Sequence, residues 1–338
     1  MFQRRTSTTL GVLTTAGITL AALTACGDDN SADGDSGSGT ITVSGSATVA
    51  PITSAVARDT GVDVDQSTEG SIAGFERFCT GETHINNASE SIPGPGEETD
   101  FLAMCEENGV DFVELPVALD TITLIRHADN DLVNDLTAGE LQAIWEPDSD
   151  ITTWSDVRDD WPEEEINLIG RGPGSGTFDY FTRTVTGTAG EIRDDYTAVD
   201  DPTELNEAVA EDPYALGFTG VGSYLEDADN RDQLSTISVD GVEPSLEDAQ
   251  DGSYGPLARP LFIYVSTEAL DDSDGGSPDV EGFVGDYLDR VADLLPSTYF
   301  YPLPDEAYEQ VQQRFSDRTT GSLTDGEPVD GATLLDEL

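Results

Sequence analysis

The chain of 338 residues has no lysine: its 14 basic residues are all arginine, set against 69 acidic ones, for a formal net charge of -55. That absence removes every mechanism built on a Schiff-base lysine or a phosphate-loop lysine. With no cluster of basic residues, the chain cannot displace counterions from nucleic acid or lie on anionic lipid through a polybasic face. Histidine is almost as scarce, at two residues, His84 and His127. Neither belongs to a histidine-rich metal pattern, and no EF-hand spacing appears among the many aspartates, so no cofactor and no metal is expected. Aromatic residues make up only 7% of the chain.

So large a charge of one sign repels itself in dilute buffer. At molar salt the Debye length falls to about 3 Å, and the acidity reads as an adaptation to salt, with a cation-binding or basic-partner surface as the weaker alternative. Acidic, aromatic-poor composition also accompanies disorder. Here 37% hydrophobic residues and periodic apolar segments argue for a folded core instead.

Arg4 and Arg5 are followed by an uncharged apolar stretch, Leu10 to Leu23, and then by Leu23-Thr24-Ala25-Cys26. This is the layout of an export signal, and the apolar run is too short for a comfortable spanning helix. Residues 1–25 are expected to be a signal peptide. Leu-Thr-Ala-Cys resembles a lipobox, which would make Cys26 a lipidated first residue; an ordinary signal peptide with an incidental cysteine is the alternative. The paired arginines resemble a twin-arginine signal without its usual Phe and Lys, so the export route stays open. Without residues 1–25 the chain has 12 arginines against 69 acids, or -57. Residues 26–39 have nothing to bury and read as a tether of roughly 20 Å root-mean-square reach. The expected location is the outer face of the cell membrane, held by a lipid anchor.

Cys79 and Cys105 remain. In an exported chain two such cysteines most often pair, and neither has a Cys or His neighbour at metal-ligand spacing, so a structural disulfide is expected over free thiols or a metal site. Strands and helices alternate. Thr40–Val43, Val110–Ile125 (broken at Pro116), Ile166–Ile169, Leu216–Thr219 and Leu261–Val265 read as strands. Ile52–Arg58, Thr137–Trp145, Phe178–Val185, Leu205–Ala210 and Val280–Leu295 read as helices, the second opened by a capping box of Thr137 and Glu140. The acidic tail after Phe315 is weakly patterned. This alternation indicates an α/β fold. The β-rich stretches Leu115–Ile125 and Pro260–Val265 are placed to be crossings between two lobes, with residues 40–120 and 261–338 forming lobe I and 121–260 lobe II. Trp145, Trp154 and Trp161 read as packing residues.

Three strand-to-helix turns combine small residues and hydroxyls: Ser44–Pro51, Thr68–Phe75 and Arg171–Asp179. A helix start offers unsatisfied N–H groups and a positive dipole end, both suited to an anion. Taken singly, each turn is usually just an ordinary N-cap. The third is the most demanding, because Arg171 stands four residues before Ser175-Gly176-Thr177, yet it is not a Walker A loop.

The blocks SGSATVAP, EGSIAGFERFC, ELPVALDTITLI, LTAGELQAIW, RGPGSGTFDYF, ALGFTGVGSY and YGPLARPLFIYV fall in an order that resembles the PstS-type phosphate-binding proteins of ABC transporters. The resemblance covers roughly Thr40 to Gly321. It implies a type II periplasmic-binding-protein fold, two α/β lobes joined by a two-strand hinge with the ligand in the cleft. It further implies phosphate contacts from Thr48, the backbone of Val49, Ser71, Arg171, Ser175, Gly176 and Thr177, and it supports pairing of Cys79 with Cys105. One position departs: where the family has an acid before Ala-Ser-Arg, this chain has His84, and the arginine has become Glu90. His84 is therefore a possible ligand contact in a charge-swapped pair with Glu90, widening choice toward sulfate; the alternative is that it touches nothing in the cleft. Arg259 reads as a buried ion-pair partner, with anion contact as the alternative.

The expected function is capture of inorganic phosphate outside the cytoplasm and its delivery to ABC transporter permease subunits, by a monomer that is not an enzyme. The alternatives are a binder of another tetrahedral oxyanion such as sulfate, or an exported phosphoryl-transfer enzyme or sensor.

Overall fold

The computed structural model describes residues 39–271, 277–327, 334 and 337–338. The expected signal peptide, Cys26 and the tether as far as residue 38 lie outside the described residues. Along the chain, β1 (Ile41–Gly45), α1 (Ala50–Thr60), β2 (Val64–Gln66), α2 (Ser71–Cys79), β3 (Ile85–Ala88) and α3 (Phe101–Asn108) precede the long β4 (Phe112–His127). Next come β5 (Asp135–Leu136), α4 (Ala138–Trp145), α5 (Trp154–Val157), β6 (Asn167–Arg171), α6 (Gly176–Thr186) and β7 (Thr197–Val199). They are followed by α7 (Pro202–Ala210), β8 (Ala215–Gly220), α8 (Val221–Glu226), β9 (Leu234–Val239) and α9 (Leu246–Gln250). The order ends with β10 (Ala258–Ser266), α10 (Thr267–Asp271), α11 (Val280–Leu294) and α12 (Asp305–Ser316).

The strands join in the order β2-β1-β3-β10-β4-β8-β6-β7, with β9 against β4 and β5. Two parallel groups, β2-β1-β3 and β8-β6-β7, flank the antiparallel pair β10-β4. β4 serves both groups: Phe112–Thr121 pair with β10, and Ile122–Arg126 pair with β8. Residues Phe112 through Arg126 are all buried, Glu114 and Asp120 included, so this strand is covered on both faces. The result is a mixed α/β fold of two lobes linked through β4 and β10. The C-terminal helices return to the first group, with α11 against α1 and α12 against β4.

Pro116 does not break the strand, as the sequence suggested it would. β4 runs through it, and the irregularity falls beside it as a register shift between Leu261 and Phe262 of β10. A bulge absorbs the missing proline donor without ending the strand. Val117, the residue passed over, turns its carbonyl to the Tyr308 hydroxyl of α12 at 2.9 Å.

Local sequence accounts for the elements that carry the helices inward. At α4, Thr137 Oγ1 accepts from Glu140 N–H (3.1 Å) and Glu140 Oε2 accepts from Thr137 N–H (2.8 Å), a complete capping box. Arg158 donates to the same carboxylate through Nε and Nη2, both at 2.7 Å. Trp145 at the end of α4 meets Phe181 of α6 and Phe218 of β8 edge-on, and those two rings stack at 3.8 Å. This aromatic group seats α6 on the second parallel group. In the first group, α2 lies directly on β1: a Cβ on Gly74 would stand 2.4 Å from Gly45 Cα. Cys79 at the last position of α2 is joined to Cys105 of α3.

Gly74→Ala is expected to force α2 off β1 and to cost about 1–3 kcal/mol in chemical denaturation. The Arg158 hydrogen bonds, with the cap, hold the Glu140 carboxyl down at about 2. Its contribution is present above the ordinary carboxylate range and is lost as pH falls toward that value. Glu140→Gln should therefore cost about 1 kcal/mol at pH 7 and converge on wild type near the folded value, measured as unfolding midpoints against pH.

Candidate functional site

In both parallel groups the strands end in helices whose N-termini turn toward one crevice, the usual ligand position in open α/β sheets. The turn from β1 to α1 contributes Ser46, Ala47 and Thr48, and the turn before α2 contributes Thr68 to Ala73. The turn from β6 to α6 contributes Gly174 and Gly176. Together with Ser89, Glu90, Asp179, Arg183 and Arg259 they line a cleft of about 480 Å³. Three helix starts, two from the first group and one from the second, thus share one space.

Each turn is braced from within. Ser46 N–H donates to Asn87 O at 2.8 Å, and Thr48 N–H to Ser46 Oγ at 3.2 Å. Val49 is the N-cap of α1 with a fully buried side chain, so only its backbone can serve the cleft. Gly70, at φ 101°, takes a backbone conformation that favours glycine and donates to Gly45 O, holding the second turn on β1. Ser71 Oγ accepts from Ser89 N–H at 3.1 Å. Arg77 reaches back from the far end of α2 to Ser67 Oγ (2.6 Å) and Glu69 (3.0 Å). In the third turn Ser175 caps α6 through Phe178 N–H.

The first and third turns nearly touch. A Cβ on Gly176 would stand 1.8 Å from Thr48 Oγ1, so only glycine fits where α6 begins. Behind this turn Arg171 ends β6, half-buried, its carbonyl accepting from the Tyr196 hydroxyl (3.2 Å). Burial pushes its guanidinium below its ordinary value, against the pull of Asp200 and Asp201. Arg171 Nε and Thr219 Oγ1 are both buried without a hydrogen-bond partner. They occupy the next positions along the register that pairs Gly170 with Phe218. Buried polar groups are nearly always partnered, so each of these atoms is a free hydrogen-bonding position among the described residues.

Of the residues expected at the site, Thr48, Ser71 and Gly176 line the open cleft. Val49, Arg171, Ser175 and Thr177 belong to the same turns without lining that open space. His84 is placed elsewhere. It precedes β3, whereas the cleft lies beyond the other end of that strand, at Ser89 and Glu90; five extended residues span about 16 Å. Its Nδ1 accepts from Thr42 N–H at 2.9 Å, and the ring lines a separate pocket with Thr83, Ser266 and Glu268. Glu90, in contrast, is in the cleft, and its counter-charge is Arg183 of α6, at 2.8 Å.

Arg183 was not singled out by the sequence. Its signal was helical spacing: Gly176, Asp179 and Arg183 fall at i, i+3 and i+7 of α6, on one face. Arg259 combines both readings given to it. It pairs with Asp120, its cross-strand neighbour, at 3.0 Å, and it also lines the cleft. Its guanidinium lies 4.0 Å over the Tyr180 ring and donates to Gly176 O (3.4 Å), joining β10 to the start of α6. Burial pushes the Asp120 carboxyl up, against the pull of Arg259.

Among the described residues no helix is long and apolar enough to cross a membrane. The two-lobed sheet and the cleft of convergent helix starts define a solute-binding protein. A family model described as the PBP superfamily domain matches residues 30–286. Protein SphX of Synechocystis sp. is 37% identical over 305 residues, which cover 87% of each chain. Phosphate-binding protein PstS of Staphylococcus saprophyticus is 32% identical over 305 residues, 87% of this chain and 90% of that one. The crystal structure of a possible phosphate binding protein from Planctomyces limnophilus superposes with a TM-score of 0.73 at 34% identity, covering 83% of this chain and 99% of that one. The chain belongs to the PBP superfamily, and within it to the family of these PstS and SphX relatives.

Asp120→Asn is expected to leave Arg259 buried without a counter-charge and to cost about 3–5 kcal/mol, read from urea unfolding curves.

Proposed function

We propose that this protein captures inorganic phosphate outside the cytoplasm and presents it to the permease subunits of an ABC transporter. The observation that carries this reading is the convergence of three helix N-termini on one cleft, the first two with Ser and Thr hydroxyls and the third with the main chain of Gly174 and Gly176. The arginines on the cleft wall, Arg183 and Arg259, are each held by a carboxylate. An anion there is met by N–H and O–H dipoles rather than by net positive charge. The proposed contacts are the hydroxyls of Thr48, Ser71, Ser175 and Thr177, the backbone N–H groups of Val49 and Gly176, and the Arg171 guanidinium. Arg171 Nε, unpartnered among the described residues, is the donor a bound oxyanion would satisfy. Six to eight such bonds at roughly 1.5–3 kcal/mol each cover the approximately 8 kcal/mol of a micromolar complex after association costs.

Glu69 and Asp179 also face this space, while Glu90 is paired with Arg183. Carboxylates accept but do not donate hydrogen bonds, so they favour an anion that still carries a proton. That distinguishes hydrogenphosphate from sulfate without His84. The finer parts of the reading rest on the sequence: export by the signal at residues 1–25, a lipid anchor at Cys26, a monomer, a salt-rich setting, and stoichiometric binding without turnover.

Isothermal titration at low and at molar salt is expected to show one phosphate per chain at micromolar affinity or better, and sulfate at least a hundredfold weaker. Arg171→Gln should weaken phosphate by about ten- to a hundredfold. Equal affinity for the two anions, or release of a chemically altered ligand, would overturn the proposal.

A further inference from the structure

Glu90 follows β3 in the first parallel group, and Arg183 lies on α6 in the second. Their side chains meet at 2.8 Å across the cleft that both line. The Glu90 side chain is 28% and the Arg183 side chain 49% exposed, which places the pair at the mouth rather than in the floor. The chain has very few cations to commit: 14 arginines against 69 acids. Both lobes are therefore strongly acidic, and bringing them together works against like-charge repulsion. One opposite pair across the cleft offsets part of that repulsion there. The helix that carries Arg183 also begins at Gly176, packed against Thr48. Approach of α6 to the first turn thus brings the ion pair together in the same movement.

We infer that Glu90 and Arg183 form an inter-lobe clasp that favours the closed cleft and slows release of the bound anion. The clasp rests on the phosphate reading for its ligand, but not for its effect on closure. It acts as a positioning pair: it shifts the population of closed molecules, so its loss raises the release rate and lowers apparent affinity by the closed fraction it supported. Its position 93 residues apart in sequence, on opposite walls of one cleft, is what separates it from the local pairs such as Arg290 with Asp286.

Charge reversal tests this with the full folded protein. Glu90→Arg makes the net charge less negative, and Arg183→Glu makes it more negative, while the double exchange restores both net charge and pairing. Small-angle X-ray scattering without phosphate should show a larger radius of gyration for each single variant and the wild-type value for the double variant. Stopped-flow phosphate release should quicken about three- to tenfold in each single variant and return to within about twofold in the double. Opposite shifts in the two single variants would assign the effect to net charge and overturn the clasp, as would a double variant no more closed than the singles. If wild type binds no phosphate, the functional reading fails, while the scattering comparison still decides the clasp.

Discussion

Asp120 and Arg259 face each other on β4 and β10, at the step where β4 passes from one set of partners to the other. Burying two charges costs several kcal/mol per ion unless geometry repays it. Here the repayment has three parts: two hydrogen bonds to Asp120 Oδ2, the stack on Tyr180, and the bond to Gly176 O. The last two belong to α6, whose first residue is a wall of the cleft. The pair therefore does more than hold two strands together. It sets where the start of α6 stands relative to the crossing, and with it the distance between the third turn and the first.

The rest of the cleft follows from that placement. Aromatic packing of Trp145, Phe181 and Phe218 holds the body of α6, while glycine contact and the Cys79–Cys105 link hold α2 in the other group. Arginines near the ligand space are used as braces: Arg77 on the second turn, Arg259 on the crossing, Arg183 on Glu90. The cleft wall thus carries acids as well as arginines, and Glu69 and Glu90 there are each paired with one.

Much of this was legible in the sequence, for reasons that differ by element. The α4 start was exact because Thr137 and Glu140 determine it within four residues. The two crossings were visible because Leu115–Leu119 and Leu261–Val265 are unbroken apolar runs, as strands covered on both faces favour. α12 was passed over: its apolar positions are few, and its burial comes from contacts with β4 far away in sequence. Pro116 misled, because the lost donor is accommodated by a bulge that depends on β10. His84 misled for a related reason. Its nearness to Glu90 in sequence says nothing of distance once the intervening residues are extended. The partner of Glu90 lies on another lobe, and no local pattern joins position 90 to position 183.

The contact between Gly176 and Thr48 has a consequence for what the cleft can measure. A chamber bounded by long side chains adjusts to its guest, because rotamers change at small cost. A chamber bounded by the main chain of one helix start against the short side chain of another has less such slack, since Thr48 can turn only about one torsion. Such a boundary works as a gauge. Contact distances do not depend on ionic strength, so the spacing of these two turns is the same in brine and in dilute solution.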